Sequence, residues 1–304
     1  LMQKGRCQLD DYVADHLSEC ASTCIGSATI RHLLTHSSGL PGWRGFYEQV
    51  RPDGAISWAA GEREQAKRAM LHLIQSEAPV YERGTRSLYS DLGFMVLGFI
   101  IERISGQSMS EYFLDHIVCP LGKPQVGFIL PGQHRALPNR LDADMGGIAP
   151  TEIDRWRGHL LCGEVHDQNA AALGGEAGHA GLFGTVDAVL AISGEWLGAY
   201  HGRGTILDRA MVHEFTRRQK LEGSSSWALG WDTPSVPSSA GCHFAAQSFG
   251  HLGYTGTSLW IDPMRELEVV LLSNRVHPSS RNEAIREFRP AIHDLVYQEF
   301  IGSI

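Results

Sequence analysis

The chain has 304 residues, 43% of them hydrophobic and 20% charged, which is globular composition with length enough for a large core in one domain or two lobes. A net charge of −8 and the lack of any basic run disfavour a nucleic-acid partner. The longest unbroken apolar run, Gly93 to Ile101, is too short to span a bilayer, so no transmembrane segment is expected in this chain.

The cysteines are Cys7, Cys20, Cys24, Cys119, Cys162 and Cys242, and no Cys-x-x-Cys pair occurs. Buried reduced thiols are the default, a Cys20–Cys24 disulfide is the minor alternative, and no metal or cofactor is expected. Leu1-Met2-Gln3-Lys4-Gly5 reads as the last turn of a helix and its C-cap. A chain that opens inside a helix reads as a fragment.

Leu9 to Val13, with Leu17, forms a short amphipathic segment. Thr29 is positioned to cap a helix from Ile30 to His36, closed by Ser37-Ser38-Gly39. His32 and His36 have helical metal-ligand spacing, but no glutamate follows the first and no third ligand lies near, so both read as structural. Residues 41–60 are loop-like, with Trp43 and Tyr47 divided between packing and shaping a substrate entrance. Glu62 to Ser76 is a helix, and Gly84 allows a sharp bend before Tyr89.

Tyr89-Ser90-Asp91 stands at the mouth of an apolar helix running to about Ile104. A phenol there lies beside unpaired backbone N–H groups and the positive end of the helix dipole, and both favour the phenolate. That is one route to a tyrosine acting as a base; the alternative is a boundary tyrosine that packs its ring.

Ser108-x-x-Glu111 makes a capping box for the next helix, which stops near Cys119-Pro120. Residues 124–184 lack periodicity and read as a long functional loop. Within it, His166, Asp167 and Asn169 are expected to pin the loop, and His179 to hold backbone rather than line the rim. Thr185 caps a helix to about Tyr200, and Ile206 to Arg217 is another. Strands are expected at Trp227–Trp231, Phe249–Tyr254, Thr257–Ile261 and Leu267–Ser273, the last three as an antiparallel meander. A final helix is expected behind a Ser280-x-x-Glu283 cap, with an apolar stripe of Ile285, Phe288, Ile292, Val296 and Phe300, and with Pro290 bending it. A helical middle followed by a meander and a terminal helix implies two lobes.

Four segments carry a resemblance: Ala28-Thr-Ile-Arg-His-Leu-Leu-Thr-His-Ser-Ser-Gly-Leu-Pro41, Tyr89-Ser-Asp91, Gly178-His-Ala-Gly-Leu-Phe-Gly-Thr185 and Gly250-His-Leu-Gly253. In this order and spacing the chain resembles a serine hydrolase of the class C β-lactamase and penicillin-binding-protein family. Ala149-Pro-Thr-Glu152 through Val165-His-Asp-Gln-Asn169 is similar to its esterase or carboxypeptidase-like subgroup. The resemblance implies an α+β fold of the β-lactamase/transpeptidase type, an antiparallel sheet flanked by helices plus a largely helical lobe. The corresponding boundaries are 1–27 with 213–304 for an incomplete α/β lobe, and 28–212 for the helical lobe with its site-lining loops.

The family's chemistry is acyl transfer through a serine in Ser-x-x-Lys, which releases an acyl-enzyme to water. Lys4, Lys67, Lys123 and Lys220 follow Leu1, Glu64, Pro120 and Arg217 at three residues, so the motif is absent from the chain. The resemblance places it on the helix that ends where this chain begins, together with the first strands of the sheet. The chain is therefore expected to lack its nucleophile, to be inactive alone, and to expose an edge at 267–273 that makes it poorly soluble. Tyr89 would be the general base, or share a proton with the missing lysine. Asp91 stands where the family has an asparagine that contacts substrate; a carboxylate has no N–H to give. His251 replaces a lysine on the site-lining strand and would make electrostatic help to Tyr89 pH-dependent. Gly253 belongs to the same strand, and the Tyr254 N–H would be an oxyanion donor.

The expected partner is a small ester, amide or peptidoglycan-derived molecule, with ester or D-alanyl-peptide hydrolysis favoured over efficient β-lactamase activity. A degenerate, non-catalytic homologue binding a cell-wall peptide or protein partner is the alternative. An α/β-hydrolase does not fit, because no serine lies in Gly-x-Ser-x-Gly.

Overall fold

Side-chain caps mark where several of the helices begin. The computed structural model describes residues 1–54, 58–59, 61–122, 124–131, 147–221 and 225–302. Two compact units divide the chain: Leu1–Ile148, Asp154–Gly184 and Lys220–Ser225 form the first, and Ala149–Ile153, Thr185–Gln219 and Ser226–Ile304 the second.

The first unit contains helices α1 (Val13–His16), α2 (Ile30–Leu34), α3 (Tyr47–Val50), α4 (Glu62–Gln75), α5 (Asp91–Ser105), α6 (Met109–Phe113) and α7 (Gln168–Ala172). Thr29 caps α2 by accepting the His32 N–H at 3.2 Å. Ser90 caps α5 by accepting the Gly93 N–H at 3.3 Å, and Ser108 and Glu111 form the expected capping box at α6. Each cap satisfies backbone donors that a helix leaves open in its first turn. The apolar run of the sequence becomes the buried face of α5, where Leu92, Met95, Val96 and Ile100 join Leu33, Met70 and Ile74 in one core.

Residues 1–27 belong to that core too, through Cys7, Val13, Leu17, Cys20 and Ile25. The sequence-based boundary assigned them to the other lobe; their apolar side chains pack against the helical unit instead. The stretch 124–184 also holds more structure than its composition suggests. Val126–Phe128 (β1) and Leu182–Gly184 (β2) pair antiparallel, and α7 lies between them. Strands this short carry too few alternations to be read from sequence. Lys123 and Gly223 lie outside the described residues.

In the second unit, Thr185 caps α8 (Val186–Tyr200) through the Ala188 N–H at 3.2 Å, and α9 spans Arg209–Thr216. The meander is present as β3 (Phe249–Leu252), β4 (Ser258–Asp262) and β5 (Leu267–Leu271), antiparallel in that order, with β5 at one end. Trp227–Trp231 is not a strand; it contributes a single bridge, Trp227 to Asp232. Trp260, Phe249 and Ile261 are fully buried in this sheet.

Helix α10 (Ile285–Phe300) departs from expectation at its start and on its face. Ala284 precedes it without a side-chain cap, because the Ser280 hydroxyl donates to Glu152 at 2.9 Å. Phe288 and Phe300 are exposed, while Arg289 and His293 are buried. Arg289 donates to the Gly253 and Thr257 carbonyls at 2.6 and 2.7 Å, so polar ties, not an apolar stripe alone, hold the helix to the sheet. All six cysteines are unpaired, and only Cys7 and Cys20 are buried. Among the described residues, no helix is long and apolar enough to cross a membrane.

Candidate active site

The structure builds the neighbourhood of Tyr89 from the turn after α2. His36 adopts φ 54°, a left-handed conformation uncommon outside glycine. That turn brings its ring 4.9 Å from Phe94 and 4.6 Å from Tyr89, centroid to centroid. Its Nδ1 accepts the Ser90 N–H at 3.1 Å, and its carbonyl accepts from Leu88 N and the Tyr81 hydroxyl, both at 2.8 Å. Ser90 in turn donates to the Pro41 carbonyl at 2.8 Å, and Asp91 N donates to Gly42. The structural reading of His36 from sequence thus becomes specific: it aligns the tripeptide at the mouth of α5.

Tyr89 directly precedes the Ser90 cap, and its phenol hydrogen-bonds the Asp91 carboxylate. Its residue surface is 45% exposed, yet burial is still the largest influence on the hydroxyl. Burial, the Asp91 charge and the bond to Asp91 push the phenol well above its ordinary value of 10.0. This corrects the expectation that the helix terminus favours phenolate. Burial first, and then the adjacent carboxylate, outweigh the dipole, whose effect is worth only about 0.3–1 kcal/mol near a surface. Asp91 itself is raised, by burial first, with Asp167 repelling its charge and His179 and Tyr89 pulling the other way.

Asp167 and His179, read as loop-pinning residues, come to the same place. Asp167 caps α7 by accepting the Ala170 N–H at 2.7 Å, and the same oxygen meets His179 Nε2 at 2.8 Å. The His179 side chain is only 3% exposed. Burial opposes its charge, but the Asp167 charge and hydrogen bond, and then Asp91, raise its pKa above the ordinary 6.5. Asp167 is held below its ordinary value because His179 and the Ala170 N–H outweigh its burial. The glycine-rich loop and His166-Asp167 were visible in sequence; their meeting beside Asp91 was not. Asn169 does pin a loop, accepting from Tyr47 N at 2.9 Å and donating to the Arg44 carbonyl at 2.8 Å. Tyr47 packs edge-on to Trp156 at 4.9 Å, while Trp43 is exposed.

The remaining expected residues lie together in the second unit. His251 is on β3, with Nδ1 2.8 Å from the Leu252 carbonyl and its ring 5.7 Å from Trp227. Burial lowers its pKa below the ordinary 6.5, which favours the neutral imidazole. Gly250 must be glycine: a Cβ there would sit 2.3 Å from the Leu259 carbonyl and 2.5 Å from Trp260. Gly253 follows β3, donates its N–H to the Thr257 carbonyl at 2.8 Å, and would clash with the Thr257 hydroxyl if substituted. Tyr254 is exposed, with the Arg275 guanidinium 4.2 Å above its ring and donating to its carbonyl at 2.7 Å. Among the described residues, Cys242, His243 and Asp294 form one donor group close enough to share a metal ion, with ligand atoms within 4.8 Å. There the thiol donates to Asp294 at 3.3 Å.

The fold and these segments define a β-lactamase-type protein, and comparison with known proteins agrees. The family described as Beta-lactamase matches residues 1–291, and the chain belongs to it. An Escherichia coli K12 protein named "Putative D-alanyl-D-alanine carboxypeptidase" is 31% identical over 91% of this chain, and the chain spans 65% of that protein's length. A Salmonella agona protein of the same name is 32% identical over 94% of this chain and 67% of its own. A penicillin-binding protein homologue from Caulobacter crescentus superposes with TM-score 0.64 at 19% identity, covering 96% of this chain and 78% of that one. A β-lactamase from Mycobacterium bovis gives 0.59 at 22% identity, covering 98% and 80%. The two solved structures share the α+β fold expected from sequence.

Proposed function

We propose that this chain carries the base side of an acyl-transfer site. In this reading the whole protein is a serine hydrolase acting on a D-alanyl peptide or a small ester through an acyl-enzyme. The observation that carries it is the Tyr89 phenol, held before α5 by His36 and hydrogen-bonded to Asp91. Family membership over residues 1–291 and the relatives named as carboxypeptidases support the substrate class. Tyr89 mediates transfer of the attacking serine's proton and its return to the leaving group. His251, Gly253 and Tyr254 are the strand-side residues, the Tyr254 N–H serving as an oxyanion donor. A neutral His251 supplies less field than the family's lysine, which favours ester and peptide substrates over rapid β-lactam hydrolysis. No Ser-x-x-Lys occurs in these 304 residues, and this reading assigns the serine to sequence outside them.

The test compares covalent labelling by a fluorescent penicillin, and p-nitrophenyl acetate turnover, in this chain and in one extended by the upstream coding sequence. The extended protein labels and turns over, Tyr89→Phe lowers acylation by about 100-fold or more, and the 304-residue chain does neither. Labelling of the 304-residue chain, or a Tyr89→Phe variant as fast as wild type, overturns the assignment.

A further inference from the structure

Three facts about the surroundings of Tyr89 are not used by a simple tyrosine base. Asp91 is a carboxylate bonded to the phenol, where an amide would serve to touch substrate. His179 is buried against Asp167 at 2.8 Å, yet its Nδ1 has no hydrogen-bond partner among the described residues. The loop carrying His179 is clamped to α5: a Cβ on Gly178 would lie 2.0 Å from the Phe94 carbonyl and 3.0 Å from Gly98 N. A glycine is required there, and the clamp sets the backbone of the His179 loop against α5 at Phe94 and Gly98, with the charges of Asp91 and His179 acting on each other.

The groups that face one another are Tyr89 before α5, Asp91 on α5, Asp167 at the start of α7, His166 beside it, His179, and His36 against the Tyr89 ring. Two carboxylates in a largely buried space repel unless a cation lies with them. An imidazolium at His179, donating Nε2–H to Asp167, supplies that cation and leaves the net charge of the trio at one negative. A neutral imidazole would leave both carboxylates uncompensated.

We propose that Asp91 is the terminal proton acceptor of the site, with Tyr89 as relay, and that Asp167 and His179 are a buried positioning pair that keeps Asp91 ionised and aimed at the phenol. As the nucleophile's O–H proton passes to the Tyr89 oxygen, the phenol proton passes to Asp91. The nucleophile's electron pair forms the bond to carbon, and Asp91 ends as a neutral acid that later returns the proton by the same route. Tyr89 then never exists as a free phenolate. The inference rests on the hydrolase reading of this site.

Two measurements decide it. The first uses the 304-residue chain with 15N-labelled histidine. His179 gives imidazolium resonances at pH 7.5, and Asp167→Asn or Asp91→Asn lowers its titration midpoint. A neutral His179 at pH 7.5 overturns the positioning pair whether or not the protein is a hydrolase. The second uses the extended, labelling-competent protein. Asp91→Asn restores the family's usual residue, so if Asp91 only touched substrate the variant would keep or gain activity; the relay instead requires a loss of about 100-fold or more in acylation, mainly in kcat. His179→Gln removes a positive charge from beside Asp91 and so favours its protonated form, and the acid-limb midpoint of the acylation profile moves to higher pH. A variant that is only damaged lowers the rate without moving that limb, and that result overturns the role of His179. Failure of the wild-type protein to acylate at all counts against the hydrolase reading, while the histidine resonances still judge the charge arrangement.

Discussion

His251 and the Asp167–His179 pair make opposite demands on pH. His251 is depressed below 6.5 by burial, with Arg289 adding to the effect and Asp232 opposing it. Its neutral form is the one that fits, so its contribution is present above pH 6.5 and is lost as pH falls toward the depressed folded value. Wild type should therefore lose melting temperature relative to His251→Gln as pH drops below about 6.5, and parallel melting curves down to acid pH would contradict the buried placement. For the pair, Asp167 is lowered and His179 raised. The Asp167 share is present above its ordinary pKa and lost as pH falls through the lowered one. The His179 share is present below its ordinary pKa and lost as pH rises through the raised one. Both are complete only between about pH 4 and 6.5. Asparagine also caps helices, so Asp167→Asn isolates the charge. Its melting-temperature deficit should be widest in that window and shrink toward alkaline pH; a constant deficit would exclude an ion pair.

At the scale of elements, several of the legible helices carry their caps in the sequence, while α4 and α9 were legible without a side-chain cap. Thr29, Ser90, Ser108 and Thr185 each take the backbone N–H three residues on. Ser90→Ala should cost about 0.5–2 kcal/mol by urea denaturation, since it removes the α5 cap, and it also removes the tie to Pro41. Gly178→Ala should cost about 1–3 kcal/mol, because the loop must lift from the α5 backbone, and it should loosen His179 with it. A fully stable Gly178→Ala variant would show that the loop yields without cost. What failed at this scale failed for local reasons. The Ser280-x-x-Glu283 signal is real chemistry, but Glu152 supplies a competing acceptor for Ser280. The stripe on α10 was read as apolar, yet the carbonyls of Gly253 and Thr257 accept from Arg289 and bury that side of the helix. Strands β1 and β2 have three residues each, too few for a periodic signal.

For the whole molecule, charge is the property the sequence settles most directly. The chain carries −8 with histidines neutral, and its 15 histidines protonate as pH falls toward the isoelectric point of about 6.0. Solubility, measured as the concentration remaining after centrifugation, should be lowest near pH 6.0 and rise by pH 8, as net charge grows. Low solubility that does not change between pH 6 and pH 8 would point to exposed apolar surface rather than net charge as the dominant cause.

Sequence by itself determined the family, the α+β class, the capped helices and the three-strand meander. These follow from local patterns: caps act over three residues, turns over four, and the motif segments keep their order along the chain. It also placed Tyr89 before its helix and His251 on its strand. The tertiary structure decided what those residues are. Only packing could bring Asp167 and His179, far along the chain, within electrostatic reach of Asp91, because a pair interaction depends on distance in space and on loss of water. Burial and the Asp91 carboxylate favour the phenol form of Tyr89, which sequence had left open between a base and a packed boundary residue, and packing put residues 1–27 into the helical core.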